Sequence, residues 1–170
     1  TVTFVSSAHA IVYNNARPVF ADVEPDTLNI SPADIERKIT SKTKAIMVVH
    51  YSGRPANLEA IQKIAKNIPI IEDCAHATGA RYQGKHVGSY GKFGCFSFHA
   101  VKNLTMGEGG AVCMNDKSDY NRTRQLRWLG IDKGTWERTD NNKEYWWEYL
   151  CKVKKRRSAN QHLHTGDLLV

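Results

Sequence analysis

The stretch AIMVVHYSGRPANLEAIQKIAKNIPIIED, residues 45–73, decides the fold class because it holds one complete strand–helix–strand unit. The apolar runs Ala45–His50 and Pro69–Glu72 predict strands, and apolar residues recur at helical spacing over residues 58–67. Strands that are apolar at successive positions are buried on both faces. The stretch therefore predicts an α/β fold with a mostly parallel sheet flanked by helices.

Similar signals continue on both sides of this unit. A helix is expected to begin at Ser31, with Pro32 at the first helical position and Asp34 three residues after the cap. Residues 1–5 read as part of a strand, and because the chain begins without methionine we expect a fragment or a processed product. Further strands are expected at Pro18–Val23, Gly94–Phe98 and Gly110–Met114.

Length and charge indicate one domain followed by a tail. With 170 residues and 41% hydrophobic content, the chain can bury one core, which we expect in a partial domain over residues 1–150. Residues 151–170 hold five basic residues against one aspartate and lack core-forming periodicity, so they read as a divergent basic tail, either disordered or frameshifted. The basicity of the chain, +7 in all, is thus mostly a property of the tail.

Membrane and metal signals are absent from the sequence. It has no apolar run of about eighteen residues or more, and its first residues lack the features of a signal peptide. The four cysteines form no C-x-x-C pair and have no histidine at zinc-ligand spacing. We therefore expect no membrane span, no metal and a reducing, cytoplasmic setting.

One aspartate and one lysine suggest the chemistry. Asp73 comes directly after a predicted strand, and Lys102 follows another, in a segment poor in charge. Ligands of parallel sheets gather at the carboxyl ends of the strands, so both residues are expected at one edge. Alone, either could be a solvated charge or a helix cap. As a pair they suit pyridoxal phosphate, because an amine condenses with its aldehyde and a carboxylate keeps its ring nitrogen protonated.

Several motifs point the same way. The chain contains Glu72–His76, Ser97–Asn103 and Gly107–Gly110, together with Pro18–Val23 and Val49–Gly53. In these runs, residues 1 to about 150 resemble the central part of the DegT/DnrJ/EryC1/StrS family, the pyridoxal phosphate-dependent aminotransferases of nucleotide sugars. The resemblance implies part of the large domain of an aspartate aminotransferase-like, fold type I transferase.

The resemblance also implies roles for individual residues. Lys102 falls on the family's Schiff-base lysine and Asp73 on the partner of the ring nitrogen. His76 falls near the cofactor's phenolic oxygen, Ser97 on a phosphate contact and Phe4 on an aromatic residue against the ring face. For these last three residues the alternatives are that His76 is an ordinary helix-face residue, Ser97 an ordinary strand-end serine and Phe4 a core residue.

The implied activity is transamination in amino-sugar or polysaccharide biosynthesis. An amino donor, glutamate in most of the family, would give its amino group to a nucleotide-linked keto sugar. Val49–Gly53 and Trp128–Gly130 resemble the members that aminate carbon 4, which favours a 4-keto sugar. The intact enzyme is expected to be a homodimer with composite sites.

Other hypotheses stay open from the sequence. The chain could be a different pyridoxal phosphate enzyme of the same fold, a truncated inactive remnant, or a nucleic-acid-binding protein that uses its basic tail. The family's amino-terminal phosphate loop and small domain have no counterpart here, and residues 151–170 do not match the family. We therefore expect the isolated chain to bind pyridoxal phosphate weakly or not at all.

Overall fold

The computed structural model describes residues 2–131 and 167–169, and a mostly parallel sheet lies at the centre of this part of the chain. Its strands are β1 (Arg17–Val19), β2 (Thr43–Val49), β3 (Ile70–Asp73), β6 (Phe93–Ser97), β7 (Gly110–Cys113) and β8 (Asp167–Leu169). A separate antiparallel hairpin pairs β4 (Arg81–Tyr82) with β5 (Lys85–His86). The central sheet has the order β1-β8-β2-β3-β6-β7, and only the β6–β7 pair is antiparallel.

Helices follow the strands at the predicted positions and at two others. They are α1 (Val5–Val12), α2 (Pro32–Lys38), α3 (Leu58–Ala65) and α4 (Lys117–Arg127). Helix α2 begins as expected, since the Ser31 hydroxyl accepts the Asp34 N–H at 3.4 Å and Pro32 stands at the first turn. Helix α3 begins in the same way at Asn57, whose side chain accepts the Ala60 N–H at 3.2 Å.

Helices α1, α2 and α3 cover both faces of the sheet. Ile46 and Val48 of β2 belong to the core cluster that includes residues of α2 and α3. Met47, between them, packs instead with Ile11 of α1. Because successive strand residues point to opposite faces, α1 lies on one face and α2 with α3 on the other. The predicted α/β fold, with its mostly parallel sheet and flanking helices, is confirmed.

The strand predicted over residues 1–5 is wrong. The chain enters helix α1 at Val5, after Phe4 as the N-cap. Ser7 and Ile11 are the buried residues of this helix, and their spacing of four residues is helical. The β-branched residues at the start of the chain suggested a strand, but the burial of Ser7 and Ile11 on one face of a helix outweighs that local preference.

The strand predicted at Pro18–Val23 is shorter than expected. Strand β1 ends at Val19, and Val23 makes only an isolated bridge with Ile30. The Asp22 N–H donates to the Asp34 carboxylate at 2.6 Å, which draws this part of the chain toward α2 and away from the sheet.

The end of the chain adds a strand that the sequence did not indicate. Strand β8 lies between β1 and β2, with Leu169 paired to Val19 and Ile46. The Leu169 side chain is fully buried in the core. The prediction that residues 151–170 contain no core residues is therefore wrong at Leu169. The basic composition of the segment as a whole gave no indication of its apolar last residues. The rest of that tail, residues 151–166 and 170, lies outside the described residues.

The chain divides into two compact units. The first comprises residues 1–114 with 165–170, and the second comprises residues 115–164. Of the second unit the structure describes residues 115–131, where the Asp116 side chain caps α4 by accepting the Asp119 N–H at 2.9 Å. The expected division at residue 150 stays a prediction. Within the described residues, no helix has the length and apolar character needed to cross a bilayer.

Candidate active site

Two of the expected site residues end neighbouring parallel strands. Asp73 is the last residue of β3 and Ser97 the last residue of β6. The register pairs Asp73 with Cys95, so Ser97 lies two residues further along, on the same edge of the sheet. The carboxyl edge of β3 and β6 is therefore where the site must be assembled.

The Asp73 carboxylate is held at both oxygens. Its Oδ1 accepts the Ala75 N–H at 3.1 Å, and its Oδ2 accepts the Ser7 hydroxyl of helix α1 at 2.7 Å. Each carboxylate oxygen can accept a second hydrogen bond, so the group keeps acceptor capacity for a further donor. The residue is half-buried, which leaves that capacity within reach of a ligand.

His76 lies in the loop that follows Asp73, and its side chain is exposed. Its backbone is packed closely against the turn after β2, where a Cβ on Gly53 would come within 2.9 Å of the His76 carbonyl oxygen. Gly53 also has a φ of +83°, which side chains disfavour. The glycine thus allows the loops after β2 and β3 to meet.

The loop with Lys102 follows β6 and is tied to the loop after β3. The Asn103 side chain donates to the Thr78 carbonyl at 2.9 Å, and the Lys102 N–H donates to the His99 carbonyl at 2.9 Å. The Lys102 side chain is half-buried, and its ammonium forms no hydrogen bond or ion pair within residues 2–131 and 167–169. The lysine is therefore brought to the edge that carries Asp73 with its amine available.

His99 organises this loop from within. Its Nδ1 accepts the Val101 N–H at 3.3 Å, and its Nε2 lies 3.5 Å from the carboxylate of the exposed Glu108. The Ser97 hydroxyl also accepts the His99 N–H at 3.4 Å. These contacts connect the end of β6 to both ends of the lysine loop.

Phe4 is not a core residue. It stands at the N-cap of α1, three residues before Ser7, and is 71% exposed. The alternative that it simply fills the core is therefore wrong. Since residues three apart share one face of a helix, Phe4 is near the side of α1 that contacts Asp73.

The residue before Asp73 belongs to a buried polar network that the sequence analysis missed. Both Glu72 and His50 are fully buried, and His50 Nε2 lies 3.0 Å from the Glu72 carboxylate. The same carboxylate accepts the backbone N–H groups of Gly88 at 2.7 Å, Tyr90 at 2.7 Å and Gly91 at 2.6 Å. The sequence did contain a signal for this network, the carboxylate of Glu72 within an apolar strand, because a buried carboxylate needs hydrogen-bond partners.

The direction of the His50–Glu72 bond follows from the other side of the ring. His50 Nδ1 accepts the Ala56 N–H at 3.1 Å, so Nε2 carries the hydrogen and donates it to Glu72. Burial alone would raise the pKa of the Glu72 carboxyl, but the hydrogen bonds from His50 and the backbone amides outweigh it and lower that pKa.

His50, Glu72 and Cys74 also form the kind of buried group that can hold a metal ion. Their potential ligand atoms lie within 4.8 Å of one another. However, both His50 nitrogens and both Glu72 oxygens are already engaged in hydrogen bonds. Burial further raises the pKa of the Cys74 thiol, which disfavours the thiolate that a metal needs. The arrangement is that of a structural hydrogen-bond network.

The residues at the edge fit pyridoxal phosphate by their chemistry. They include a carboxylate with spare acceptor capacity, an amine without a partner among the described residues, and a strand-end hydroxyl. A mostly parallel α/β sheet with this set at its carboxyl edge defines a class, the large domain of pyridoxal phosphate enzymes of the aspartate aminotransferase-like fold.

The chain belongs to the DegT/DnrJ/EryC1/StrS aminotransferase family, whose sequence profile matches residues 1–157. It is 47% identical over 133 residues to GDP-perosamine synthase from Escherichia coli O157:H7. That alignment covers 77% of this chain and 36% of the synthase.

Solved structures agree with this assignment. DesI, analysed in the presence of its TDP-sugar product, is 38% identical, with a TM-score of 0.72 over 76% of this chain and 34% of DesI. An aminotransferase from Psychrobacter cryohalolentis is 35% identical, with a TM-score of 0.78 over 93% of this chain and 45% of that protein. The chain thus spans between about a third and less than half of each of these three relatives.

Proposed function

We propose that this chain contributes the cofactor-binding part of an aminotransferase that moves an amino group from an amino acid to a nucleotide-linked keto sugar. The observation that carries the proposal is the bond between Asn103 and Thr78, which ties the loop of Lys102 to the loop that begins at Asp73. Family membership supports it, as do relatives named for GDP-perosamine and for a TDP-sugar product.

Each residue at the edge has a task in this proposal. Asp73 would accept a hydrogen bond from the ring nitrogen of pyridoxal phosphate, and Ser97 would donate to its phosphate. His76 would bind near the phenolic oxygen, and Phe4 would contact the ring. Lys102 would hold the cofactor through Nζ and, when released, would move a proton to and from the substrate carbon. The bound cofactor supplies an electron sink for the charge left at that carbon.

The substrate can be proposed more finely. Val49–Gly53 and Trp128–Gly130 resemble the corresponding stretches of 4-aminating relatives, which supports a 4-keto sugar. Glutamate is proposed as the amino donor because most of the family uses it. Assaying the enzyme that contains this chain against 3-keto and 4-keto nucleotide sugars, with glutamate and with glutamine as donors, tests both points.

A homodimer is proposed for the intact enzyme, with composite sites. Beside Lys102, the side chains of Val101, Leu104 and Met106 are 78%, 53% and 67% exposed. Apolar side chains concentrated in one exposed loop are typical of an interaction surface, which supports a subunit contact at the site. A cytoplasmic location is proposed as well, because Cys74, Cys95 and Cys113 are free thiols.

Borohydride trapping tests the cofactor site directly. The chain is incubated with increasing pyridoxal phosphate and reduced with borohydride, and the modified lysine is located by mass spectrometry. Because the isolated chain is expected to bind pyridoxal phosphate weakly or not at all, the enzyme that contains this chain is labelled in parallel, and there we expect one pyridoxyl group, on Lys102. Lys102→Arg should abolish that label, whereas Lys44→Arg, at an exposed lysine of β2, should retain it.

These variants form a matched pair because both keep the positive charge and remove the primary amine. Equal labelling of several surface lysines, or unchanged total labelling of Lys102→Arg, would contradict the proposal.

A further inference from the structure

A chain of hydrogen bonds runs from the start of the described chain to Asp73. The Thr3 and Ser7 hydroxyl oxygens are 3.1 Å apart, and the Ser7 hydroxyl donates to Asp73 Oδ2 at 2.7 Å. Ser7 is only 5% exposed, so its hydroxyl has little access to water as an alternative partner.

The direction of both bonds can be assigned. An ionised carboxylate only accepts, so the single hydroxyl hydrogen of Ser7 goes to Asp73. The Ser7 oxygen must then accept from Thr3, which makes Thr3 the donor of the first bond. Hydrogen bonds aligned in one direction polarise each other, so the bond that reaches Asp73 is strengthened by the one behind it.

Packing of α1 on the sheet explains why Ser7 reaches Asp73. Ile11 of α1 packs with Met47 and with Ile71 of β3. Ile71 and Asp73 are two residues apart in the strand, so their side chains share the face that α1 covers. Ser7, one helical turn before Ile11, therefore lies over the end of β3, where the carboxylate stands.

We propose that Ser7 is a positioning residue, whose hydroxyl fixes the Asp73 carboxylate in the orientation that receives the ring nitrogen of the cofactor. This inference rests on the proposed function. With Ala75 N–H on Oδ1 and Ser7 on Oδ2, the carboxylate is held at two points and cannot rotate. Without the Ser7 hydroxyl the carboxylate is held at one oxygen only. Cofactor binding must then also fix the rotation of the carboxylate, which lowers the affinity.

Cofactor titration of Ser7 variants tests this role. Ser7→Ala should raise the pyridoxal phosphate concentration for half-maximal labelling of Lys102 by about two- to tenfold, the cost of fixing one side-chain rotation. Ser7→Thr keeps the hydroxyl and should stay near the unmodified chain. Ser6→Ala, at an exposed serine of the same helix, is the matched control and should have no effect. Equal half-maximal concentrations for Ser7→Ala and the unmodified chain would overturn the inference.

A second measurement, made without cofactor, separates this inference from the proposed function. Ser7→Ala should lower the thermal unfolding midpoint of the chain but have almost no effect in an Asp73→Ala background, because the two residues act as a pair. Equal effects in both backgrounds would show that Ser7 acts independently of Asp73 and would overturn its role. Absence of any label on Lys102 in the enzyme that contains this chain would instead count against the proposed function.

Discussion

Glu72 and Asp73 are adjacent in β3, and strand alternation sends their side chains to opposite faces of the sheet. Asp73 accepts a hydrogen bond from Ser7 of α1. Glu72 lies in the core and accepts hydrogen bonds from His50 and from three backbone amides. The His50 backbone N–H also donates to the Asp73 carbonyl at 3.1 Å. Glu72 therefore fixes the backbone from which Asp73 reaches the candidate site.

Replacing Glu72 should destabilise the fold strongly. In Glu72→Gln the amide NH₂ must face N–H donors that now point at the carboxylate, so at least one buried donor loses its partner. We expect a loss of about 3 kcal/mol in the free energy of unfolding, as for other broken buried pairs. Urea unfolding measures it. Glu59→Gln, on the exposed surface of α3, is the control and should change stability little.

The residues of the site were only partly predictable. Asp73, His76, Ser97 and Lys102 could be named because they occur in short recognisable runs after apolar strands. Ser7 could not, because its role depends on α1 folding as a helix where β-branched residues suggested a strand. The roles of these residues at the site stay predictions.

At the scale of elements, strands β2, β3, β6 and β7 were predicted close to their observed bounds, because each is a short, mostly apolar run bounded by turn residues. The hairpin of β4 and β5 was missed because each of its strands has only two residues. Strand β8 was missed because its three residues follow a basic stretch. Strands of two or three residues form because of contacts with residues that are distant in the sequence. The periodicity of apolar residues along the chain does not indicate such contacts.

Strand β8 provides a test at this scale. Leu169 is fully buried, with β1 and β2 on its two sides, so Leu169→Ala removes core contacts from both neighbours. We expect the free energy of unfolding to fall by about 3 kcal/mol, within the usual range for a buried leucine. Denaturant unfolding followed by circular dichroism is the measurement.

The control for this variant is Leu126→Ala, at a leucine of α4 that is 54% exposed. It should cost less than about 0.5 kcal/mol. Equal losses for the two variants would mean that β8 does not hold the sheet together.

For the whole molecule, buried carboxylates should make stability depend on acid pH. Hydrogen bonding to Lys38 and to the Asp22 N–H lowers the pKa of Asp34 from 3.8 to about 2, and the pKa of Glu72 is lowered from 4.5. Because both folded-state pKa values lie below the unfolded ones, these groups stabilise the fold above about pH 4.5. That stability is lost as the pH falls through the folded-state values.

We therefore expect the free energy of unfolding to decrease from about pH 4.5 toward pH 2. The Asp34→Asn, Glu72→Gln double variant should be less stable at neutral pH and should show a flatter decrease over this range. Urea unfolding at a series of pH values compares the two slopes. Identical slopes would mean that other carboxyl groups carry the acid sensitivity.

The position of β8 has a consequence for the order of events during protein synthesis. Strands β1 and β2 are not paired with each other, and the strand that joins them is about 120 residues beyond β2. At about 5–20 residues per second, a ribosome needs roughly 6–24 seconds to make that intervening length. During this time the facing edges of both strands are unpaired, so the nascent chain is open to wrong strand partners until translation has passed Leu169.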